Sequence, residues 1–454
     1  MIRDKNKFIE TYSKLCLSEK DILPGAILSF TTDYISTEFE SILDVNDSRL
    51  DNISFLSKES EKFKLLSIGK IKDYTLKDYS KRKINNIIEE LTNTSIAINE
   101  TSQKNIPFIL CGQNYDLTKS NNNIWSNIPS LNYWVPRILL LHNKNKTTVT
   151  HLFDANINID DIISIIEENH TFIDKILNDN HTATYRNNTL TSNKFLTDKD
   201  DFGGAITKIK NHINNSDVSK VVISNILSCD INKKLSYSNI IKRLKDSHPT
   251  CCVFYYRYND MQSFIGASPE TILKKETNII NIDALAGSKL VINKHQLLND
   301  NKIQKEHGFV VEGIIDTLKS INIDCKVQES YILELKNIAH LKTEITSKID
   351  PKDNPLNILD TLVPTAALSG YPRRPSMHII DSIEENERGW YAGPIGWIDS
   401  EMNCEFYAAL RSAYINNNKI YFYGGAGIVI NSDSDEEWEE IVNKIDSIYN
   451  IING

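Results

Sequence analysis

The sequence predicts an α+β fold in which large, mostly antiparallel sheets are flanked by helices. Apolar alternation places strands in runs, and amphipathic segments stand between the runs rather than after every strand. A short polar loop at residues 142–146 joins two such strands as a hairpin, which is an antiparallel connection. No G-x-G-x-x-G follows a strand and no G-x-x-x-x-G-K-[ST] occurs, so a doubly wound nucleotide-binding fold is disfavoured.

The chain divides into two predicted regions. Residues 1–199 form an N-terminal α+β region that packs on a core formed by residues 200–454. The polar segment 185–203, rich in Asn, Thr and Asp, is the best candidate for a linker between them. The predicted elements are strands 135–141 and 147–153, helices 160–178 and 203–215, strand 219–229, helix 237–246, strand 250–258, short strands near 264–275 and 278–288, helix 305–321, strands 405–415 and 419–430, and helix 434–450.

Composition excludes several classes of protein. The 454 residues carry a net charge of -9 and are 40% hydrophobic and 24% charged, which is typical of a globular chain. This mild acidity disfavours a nucleic-acid or membrane-surface protein, since both need clustered Lys and Arg. No apolar run reaches the ~18 residues of a membrane span, and the first residues carry no apolar signal core. We therefore expect a cytoplasmic protein whose seven cysteines are structural thiols.

Lys220 and Glu270 are candidates for acid–base chemistry. Lys220 stands at the head of an apolar strand, where it is either a solvated strand end or a partly desolvated base. Glu270 follows Pro269, which cannot donate a hydrogen bond to a strand and so ends it. That glutamate is either an exposed turn residue or a carboxyl group placed at the end of a buried strand.

Three further features favour an acidic ligand and a metal. Glu440 and Lys444 are four residues apart on one helix, so they form either a surface ion pair or, together with Glu306 on another helix, the edge of a site for a hard cation. Arg411 lies among apolar residues and needs an anionic partner. The glycines of Gly424–Gly427 indicate either a turn or bulge, or a backbone that a carboxylate approaches closely. Together these features predict a site for a small dianionic acid with a metal.

Ordered stretches of the second half carry a family resemblance. They are Ser219–Ser224, Gly266–Glu270, Leu285–Ser288, Lys305–Val311, His340–Thr343, Pro364–Gly370, Arg388–Pro394, Ala409–Ser412, Tyr423–Gly427 and Glu437–Glu440. In this order they resemble the chorismate-utilising enzymes, which comprise isochorismate, salicylate, anthranilate and aminodeoxychorismate synthases. The resemblance is dense over residues 200–448 and thin before them. It implies the anthranilate synthase component I-like fold, with residues 200–454 as the chorismate-binding catalytic core.

Particular positions indicate which member of the family is closest. Lys220 is similar to the lysine of the synthases that add water, whereas anthranilate synthases usually carry glutamine there. Ala286 stands where aminodeoxychorismate synthases typically have lysine. Pro364–Leu368 looks like isochorismate synthases, especially those of menaquinone biosynthesis, and Ala367 argues against a salicylate synthase. The resemblance therefore implies isochorismate formation. Salicylate synthase and a non-catalytic chorismate-binding paralogue are the alternatives, and siderophore biosynthesis stays open as the pathway.

The resemblance also implies a mechanism. Lys220 would deprotonate a water that attacks C2 of chorismate, and Glu270 would protonate the departing C4 hydroxyl. Glu306 and Glu440 would hold Mg²⁺. A monomer without a glutaminase subunit is expected, because water rather than ammonia is the nucleophile. The implied substrate-binding residues are Gly287, His340, Ala367, Leu368, Tyr391, Arg411, Gly425 and Lys444.

Overall fold

Two sheets dominate the structure, and each takes strands from both halves of the chain. The structure, a computed structural model, describes residues 26–36, 38–77, 80–99, 101, 107–154, 157–178, 190–336 and 338–454. Its helices are α1 (Lys81–Thr94), α2 (Ile159–Asn178), α3 (Lys199–Asn214), α4 (Tyr237–Ser247), α5 (Asn301–Ser320), α6 (Pro355–Leu362), α7 (Arg373–Ile383) and α8 (Ser434–Asn453).

The strands follow one another in runs between these helices. They are β1 (Ile27–Tyr34), β2 (Ile53–Lys58), β3 (Phe63–Ile68), β4 (Lys72–Thr75), β5 (Ile96–Asn99), β6 (Pro107–Gln113), β7 (Leu131–Val135), β8 (Ile138–Asn143), β9 (Lys146–Asp154), β10 (Leu190–Phe195), β11 (Lys220–Ile231), β12 (Cys252–Arg257), β13 (Gln262–Ser268), β14 (Thr271–Glu276), β15 (Ile279–Leu290), β16 (Lys326–Val327), β17 (Tyr331–Glu334), β18 (Ile338–Lys348), β19 (Gly370–Tyr371), β20 (Pro394–Asp399), β21 (Cys404–Ala408), β22 (Ser412–Asn416) and β23 (Lys419–Ile428).

The topology confirms the predicted α+β fold. The first sheet has the order β10-β11-β23-β22-β13-β12-β2-β3-β8-β9-β1-β5, with β19 beside β11. The second has the order β16-β18-β15-β14-β21-β20-β6-β7-β4, with β17 beside β18. Among the described residues, β1 with β5 is the one parallel pair. Both sheets mix strands from either side of residue 200, so the division into 1–199 and 200–454 stays a prediction.

Most of the predicted long elements are confirmed. The hairpin at 142–146 joins β8 to β9, with Asn143 opposite Lys146. The helix predicted at 305–321 begins earlier, at Asn301, because the Asp300 carboxylate accepts hydrogen bonds from the first free backbone amides. Asp433 caps α8 in the same way.

The predicted linker at 185–203 is wrong where the structure describes it. Residues 190–195 form β10, which pairs with β11, and α3 begins at Lys199. The residues from Thr191 to Lys194 are exposed because β10 is an edge strand. An edge strand tolerates the polar composition that suggested a linker. Residues 185–189 lie outside the described part of the chain.

The single strand predicted at 405–415 is also wrong. It is two strands, β21 in the second sheet and β22 in the first, separated by a turn at which Arg411 has a φ of +46°. β13 and β14 divide between the same two sheets. The two connections bond to each other, since the Ala267 amide donates to the Arg411 carbonyl (3.1 Å) and the Ala408 amide donates to the Glu270 carbonyl (3.1 Å). We call residues 266–271 and 408–412 the sheet crossing.

Two helices cover the sheets near this crossing. α5 packs on β15, and α8 packs on β23. On α8, Ile441, Ile445 and Ile448 form an apolar stripe that is buried against the first sheet. The apolar residues of α5 and α8 face the sheets. Their polar faces can therefore present charged side chains near the sheet crossing.

Composition predicts a chain without a membrane span and with structural thiols. Within those ranges, no helix is both long and apolar enough to cross a bilayer. The described cysteines are free thiols, and all but Cys325 are buried. Cys16 lies outside the described residues.

Trp125 connects the N-terminal half of the chain to the C-terminal half. Its fully buried ring stacks on Tyr414 of β22 at 4.1 Å, and its Nε1 donates to the Tyr423 hydroxyl of β23 at 2.7 Å. Gly389 is required beside it, because a Cβ at that glycine would lie 2.1 Å from the indole. The two halves therefore share one core at this point.

We predict that Trp125→Ala lowers the free energy of unfolding by about 3–5 kcal/mol, the usual cost of removing a buried aromatic side chain. Denaturant unfolding followed by circular dichroism measures it. Ile35→Ala, at a position 99% exposed, is the control and should change stability by less than about 0.5 kcal/mol. A loss below about 1 kcal/mol for Trp125→Ala would contradict a shared core.

Candidate active site

The sheet crossing and the first residue of β11 bring three charged side chains into the interior. Lys220 begins β11, Glu270 lies between β13 and β14, and Arg411 lies between β21 and β22. Their exposed fractions are 1%, 1% and 6%. Buried charges are costly unless they are paired or neutralised, so each must have a partner or a shifted pKa. The interpretations of Lys220 as a solvated strand end and of Glu270 as an exposed turn residue are both wrong.

Lys220 forms an ion pair with Glu306. The Nζ–Oε1 distance is 2.9 Å, and it joins the start of β11 to α5. Gly427 of β23, which lies opposite Val222 of β11, leaves room for this pair. A Cβ at Gly427 would lie 2.4 Å from Glu306 Oε1 and 2.7 Å from Lys220 Cε. The glycines of 424–427 continue the regular β11–β23 ladder, so the prediction of a turn or bulge there is wrong. At Gly427 the missing Cβ allows the Lys220 and Glu306 side chains to lie close to the backbone.

Glu270 is held as a neutral acid. Burial, and then the negative charge of Asp283, raise the pKa of its carboxyl to about 8. The Thr365 hydroxyl donates a hydrogen bond to Glu270 Oε1 at 3.4 Å. A carboxyl with this pKa is mostly protonated at neutral pH and can therefore donate a proton.

A chain of hydrogen bonds runs from Arg411 to Glu440. Arg411 Nη2 lies 2.9 Å from His340 Nε2, and a guanidinium can only donate, so that ring nitrogen accepts. The proton of the neutral ring is then on Nδ1, 3.0 Å from the Ser288 hydroxyl, which in turn donates to Glu440. Burial and the Arg411 charge hold the pKa of His340 well below its usual value, which keeps the ring neutral. The predicted residues His340, Arg411 and Glu440 are thus brought together.

Lys444 and Glu440 form the predicted pair on α8. Lys444 Nζ contacts the Glu440 carboxylate and also donates to the Gly425 carbonyl at 2.7 Å, so the pair is tied to β23 rather than free on the surface. Burial raises the pKa of Glu440, but the Lys444 ammonium, with smaller contributions from Ser288 and Lys302, outweighs it, and the pKa lies below its usual value. Glu440 is therefore ionised and available as an oxygen ligand.

Glu437 and Lys302, which the sequence reasoning missed, complete an acidic cavity of about 230 Å³ between α5, α8 and β15. Glu306, Glu437 and Glu440 all line it, and Lys302 Nζ lies 3.0 Å from Glu437 Oε1. Burial and the charge of Glu440 raise the pKa of Glu437 to about 7. The spacing could have indicated both residues, since Glu437 lies three residues before Glu440 and Lys302 four before Glu306.

This cavity fits a hard divalent cation. The ligand atoms it offers are carboxylate oxygens, which repel one another. A divalent cation between them would remove that repulsion. Among the described residues, no group of three or more His, Cys, Asp or Glu converges tightly enough to enclose a metal. Glu306 and Glu440 would thus supply part of a coordination sphere, with substrate or water oxygens completing it, as is usual for Mg²⁺.

The remaining predicted residues lie around the same site. Tyr391 is buried, its ring stacks on Tyr423 at 5.0 Å, and burial raises its pKa to about 12. A Cβ at Gly425 would lie 2.9 Å from the Tyr391 hydroxyl, so these two predicted residues adjoin. Gly287, at the β15 bulge with a φ of +74°, allows close packing of Ile303 of α5.

Ala367 and Leu368 lie in the segment between α6 and β19, and the described contacts there are structural. The Leu368 carbonyl accepts from Arg388 Nη1 at 2.8 Å, and Ala367 is partly exposed. Arg388 also donates to the Val222 carbonyl and pairs with Glu384. This arginine therefore ties the segment that carries Thr365 to β11. The predicted contacts of Ala367 and Leu368 with substrate stay predictions.

Cavity size alone does not identify this site. A cavity of about 550 Å³ opens at the other end of β11, beside Leu43, Ile231 and Tyr237. We assign the site by its chemistry, because the sheet crossing holds a neutral acid and lies beside a buried lysine and paired carboxylates.

Comparisons with known proteins agree with this geometry. The isochorismate synthase MenF of Bacillus subtilis (strain 168) is 32% identical over 266 residues, which cover 57% of this chain and 56% of that protein. The structure of MenF, the menaquinone-specific isochorismate synthase from Escherichia coli, superposes with a TM-score of 0.75 at 21% identity, over 98% of this chain and 99% of that one. Anthranilate synthase component I from Streptococcus pneumoniae TIGR4 gives a TM-score of 0.70 at 19% identity, over 85% and 92%.

These matches confirm the predicted fold and locate the chain within a family. The curated relatives that the sequence matches are covered over just over half of their length. The sequence also fits the family described as "Chorismate binding enzyme" over residues 15–453, which is nearly the whole chain. The protein belongs to the chorismate binding enzyme family.

Proposed function

We propose that the protein catalyses the reversible, Mg²⁺-dependent isomerisation of chorismate to isochorismate, in which water adds at C2 and the C4 hydroxyl leaves. The observation that carries the proposal is a buried, protonated glutamate at the sheet crossing with a buried lysine close to it. Addition of water and loss of a hydroxyl need one group to take a proton and another to give one. Lys220 and Glu270 supply these two groups without a covalent intermediate.

Lys220 acts as the general base. Its Nζ is positioned by the ion pair with Glu306 and by the close approach of Gly427. To take a proton from water the lysine must be the free amine, a form that would be favoured once Glu306 held a cation in place of the lysine. An amine-adding synthase needs no such base, because ammonia is itself the nucleophile. The buried lysine therefore favours water addition over anthranilate formation, and it gives no reason to expect a glutaminase subunit. The expected monomeric state stays a prediction.

Glu270 acts as the general acid. Its carboxyl is neutral near pH 7, so it can protonate the departing C4 hydroxyl as the ring double bonds shift. Thr365 orients one carboxyl oxygen and leaves the other free to face substrate. In the reverse direction the same two residues exchange roles.

The carboxylates of chorismate provide the remaining contacts. Arg411, held by His340, offers its guanidinium to the enolpyruvyl carboxylate beside Tyr391 and the Gly425 backbone. Glu306 and Glu440 would hold Mg²⁺. When bound, Mg²⁺ supplies positive charge that stabilises the ring carboxylate and the charge developing on it. Lys444 keeps Glu440 ionised for that purpose.

The relatives support this proposal through their names. MenF of B. subtilis and the E. coli MenF structure are both described as isochorismate synthases, the latter as menaquinone-specific. We propose the same reaction here, with menaquinone biosynthesis as the pathway that uses the product. Salicylate formation would require a further elimination of pyruvate, and the product assay described next distinguishes it.

Incubation of the purified protein with chorismate and Mg²⁺ should yield isochorismate as the sole product, separated by chromatography. Lys220→Ala should reduce kcat by at least about a hundredfold, the lower range for loss of a general base. Lys419→Ala, at an exposed position on β23, is the matched control and should retain full activity. Salicylate with pyruvate, or anthranilate in the presence of ammonia, would contradict the proposal.

Glu306→Gln should raise the Mg²⁺ concentration for half-maximal activity by at least about tenfold, because a ligand oxygen loses its charge. Titration calorimetry with Mg²⁺ checks the same effect without turnover. Glu312→Gln, exposed on the same helix, is the control and should leave both values unchanged. An unaltered Mg²⁺ requirement in Glu306→Gln would remove that residue from the metal site.

Glu270→Gln should abolish turnover yet stabilise the fold at alkaline pH. The pKa of Glu270 is about 8 in the fold and 4.5 ordinarily, so the folded state loses stability as pH rises through that interval and remains destabilised above it. A neutral glutamine avoids this loss. Melting temperatures should nearly coincide at about pH 4 and favour the variant at about pH 9. Glu276→Gln, exposed at the end of β14, should show no such divergence; a divergence equal to that of Glu270→Gln would refute the explanation.

A further inference from the structure

Asp283 bonds to the backbone immediately after Glu270. The Thr271 amide donates to Asp283 Oδ2 at 3.0 Å. The β14–β15 ladder pairs residues 274–276 with 279–281, so at Thr271 the Asp283 side chain takes the place of a neighbouring strand. On the other side, the Glu270 carbonyl is bonded to Ala408. The peptide group that follows the acid is therefore anchored at both its carbonyl and its amide.

Lys342 holds Asp283 in turn. Its Nζ lies 2.9 Å from the same Oδ2 atom, and it comes from β18, which pairs with β15. Asp283 is buried, whereas the side chain of Lys342 is 15% exposed. The Asp283 carboxylate therefore lies between a cationic side chain and the backbone amide that follows the acid.

The electrostatic surroundings of Glu270 are mixed. Asp283 and burial favour the protonated carboxyl, whereas Lys220, Lys342 and the Thr365 hydrogen bond favour the ionised one. The titratable or charged groups that act on Glu270 are Lys220 of β11, Asp283 of β15, Lys342 of β18 and Tyr391 of the segment before β20. Among these groups Asp283 opposes ionisation of Glu270 most strongly after burial, so its removal should favour loss of the proton.

We propose that Asp283, held by Lys342, is a positioning residue that fixes Glu270 at the sheet crossing and keeps it protonated until it gives its proton to substrate. The inference rests on the proposed role of Glu270 as the acid. Asp283 touches neither substrate nor metal; it acts through the Thr271 amide and through its charge. Lys342 limits this charge, so the two residues have opposite effects on the acid.

Two substitutions of opposite sign test the proposal. Asp283→Asn keeps an acceptor for the Thr271 amide but removes the anion, so Glu270 should ionise at a pH lower by about one unit or more. Lys342→Met removes the opposing cation, so ionisation should move to higher pH. Glu344→Gln is the control, since Glu344 is exposed on β18 at 3.8 Å from Lys342 and should leave the acid unchanged.

Infrared difference titration of the full chain without substrate measures the effect. The band of the protonated carboxyl is assigned by comparison with Glu270→Gln, and its midpoint is followed for each variant. Because this readout needs no turnover, it remains valid if chorismate is not the substrate. The alkaline limb of kcat for chorismate should move in parallel if the proposed function is also correct. A midpoint that moves without turnover of chorismate by the wild type would reject the function and retain the inference.

Shifts in opposite directions for the two variants support the proposal. Unchanged midpoints in both, with a lowered melting temperature, would overturn it and make the Asp283–Lys342 pair a structural contact only. Shifts in the same direction would also overturn it. If Asp283→Asn does not fold, the upward shift predicted for Lys342→Met, absent in Lys342→Arg, decides the question alone.

Discussion

The sheet crossing is the constraint on which the site depends. Two connections leave one sheet for the other side by side and bond to each other through Ala267 with Arg411 and through Ala408 with Glu270. Gly266 is needed there, since a Cβ would lie 2.7 Å from the Arg411 carbonyl. Glu270 and Arg411 lie on these two short connections, so the bonds between the connections hold an acid and an arginine in the interior.

Charge is balanced locally although the chain as a whole carries -9. Lys220 pairs with Glu306, and Lys444 pairs with Glu440. A dianionic substrate that arrives with a divalent cation adds no net charge, so these pairs need only rearrange. Glu270 is neutral for the same reason, because an additional buried negative charge would be costly. Overall acidity was therefore no guide to the ligand, and the local pairing of charges is the informative quantity.

The sequence predicted the site better than the path of the chain through it. Arg411 and Lys220 were identifiable because a charge within an apolar strand needs a reason to be there. The break at Arg411 was missed, since apolar alternation continues through 405–415 and does not reveal which sheet a residue joins. Helical spacing could have identified Glu437, which lies three residues before Glu440. Asp283 and Lys342 were not identifiable in this way, because strand register across β15 and β18 sets their contact.

In the proposed mechanism, a water molecule activated by Lys220 supplies the new hydroxyl while the old one departs with the proton of Glu270. The most direct test is the conversion of chorismate in oxygen-18 water, with mass spectrometry of the isochorismate formed early in the reaction. The product should contain one solvent oxygen, located at C2. Isochorismate without the heavy isotope would show that the hydroxyl migrates within the substrate, and would contradict the roles assigned to both residues.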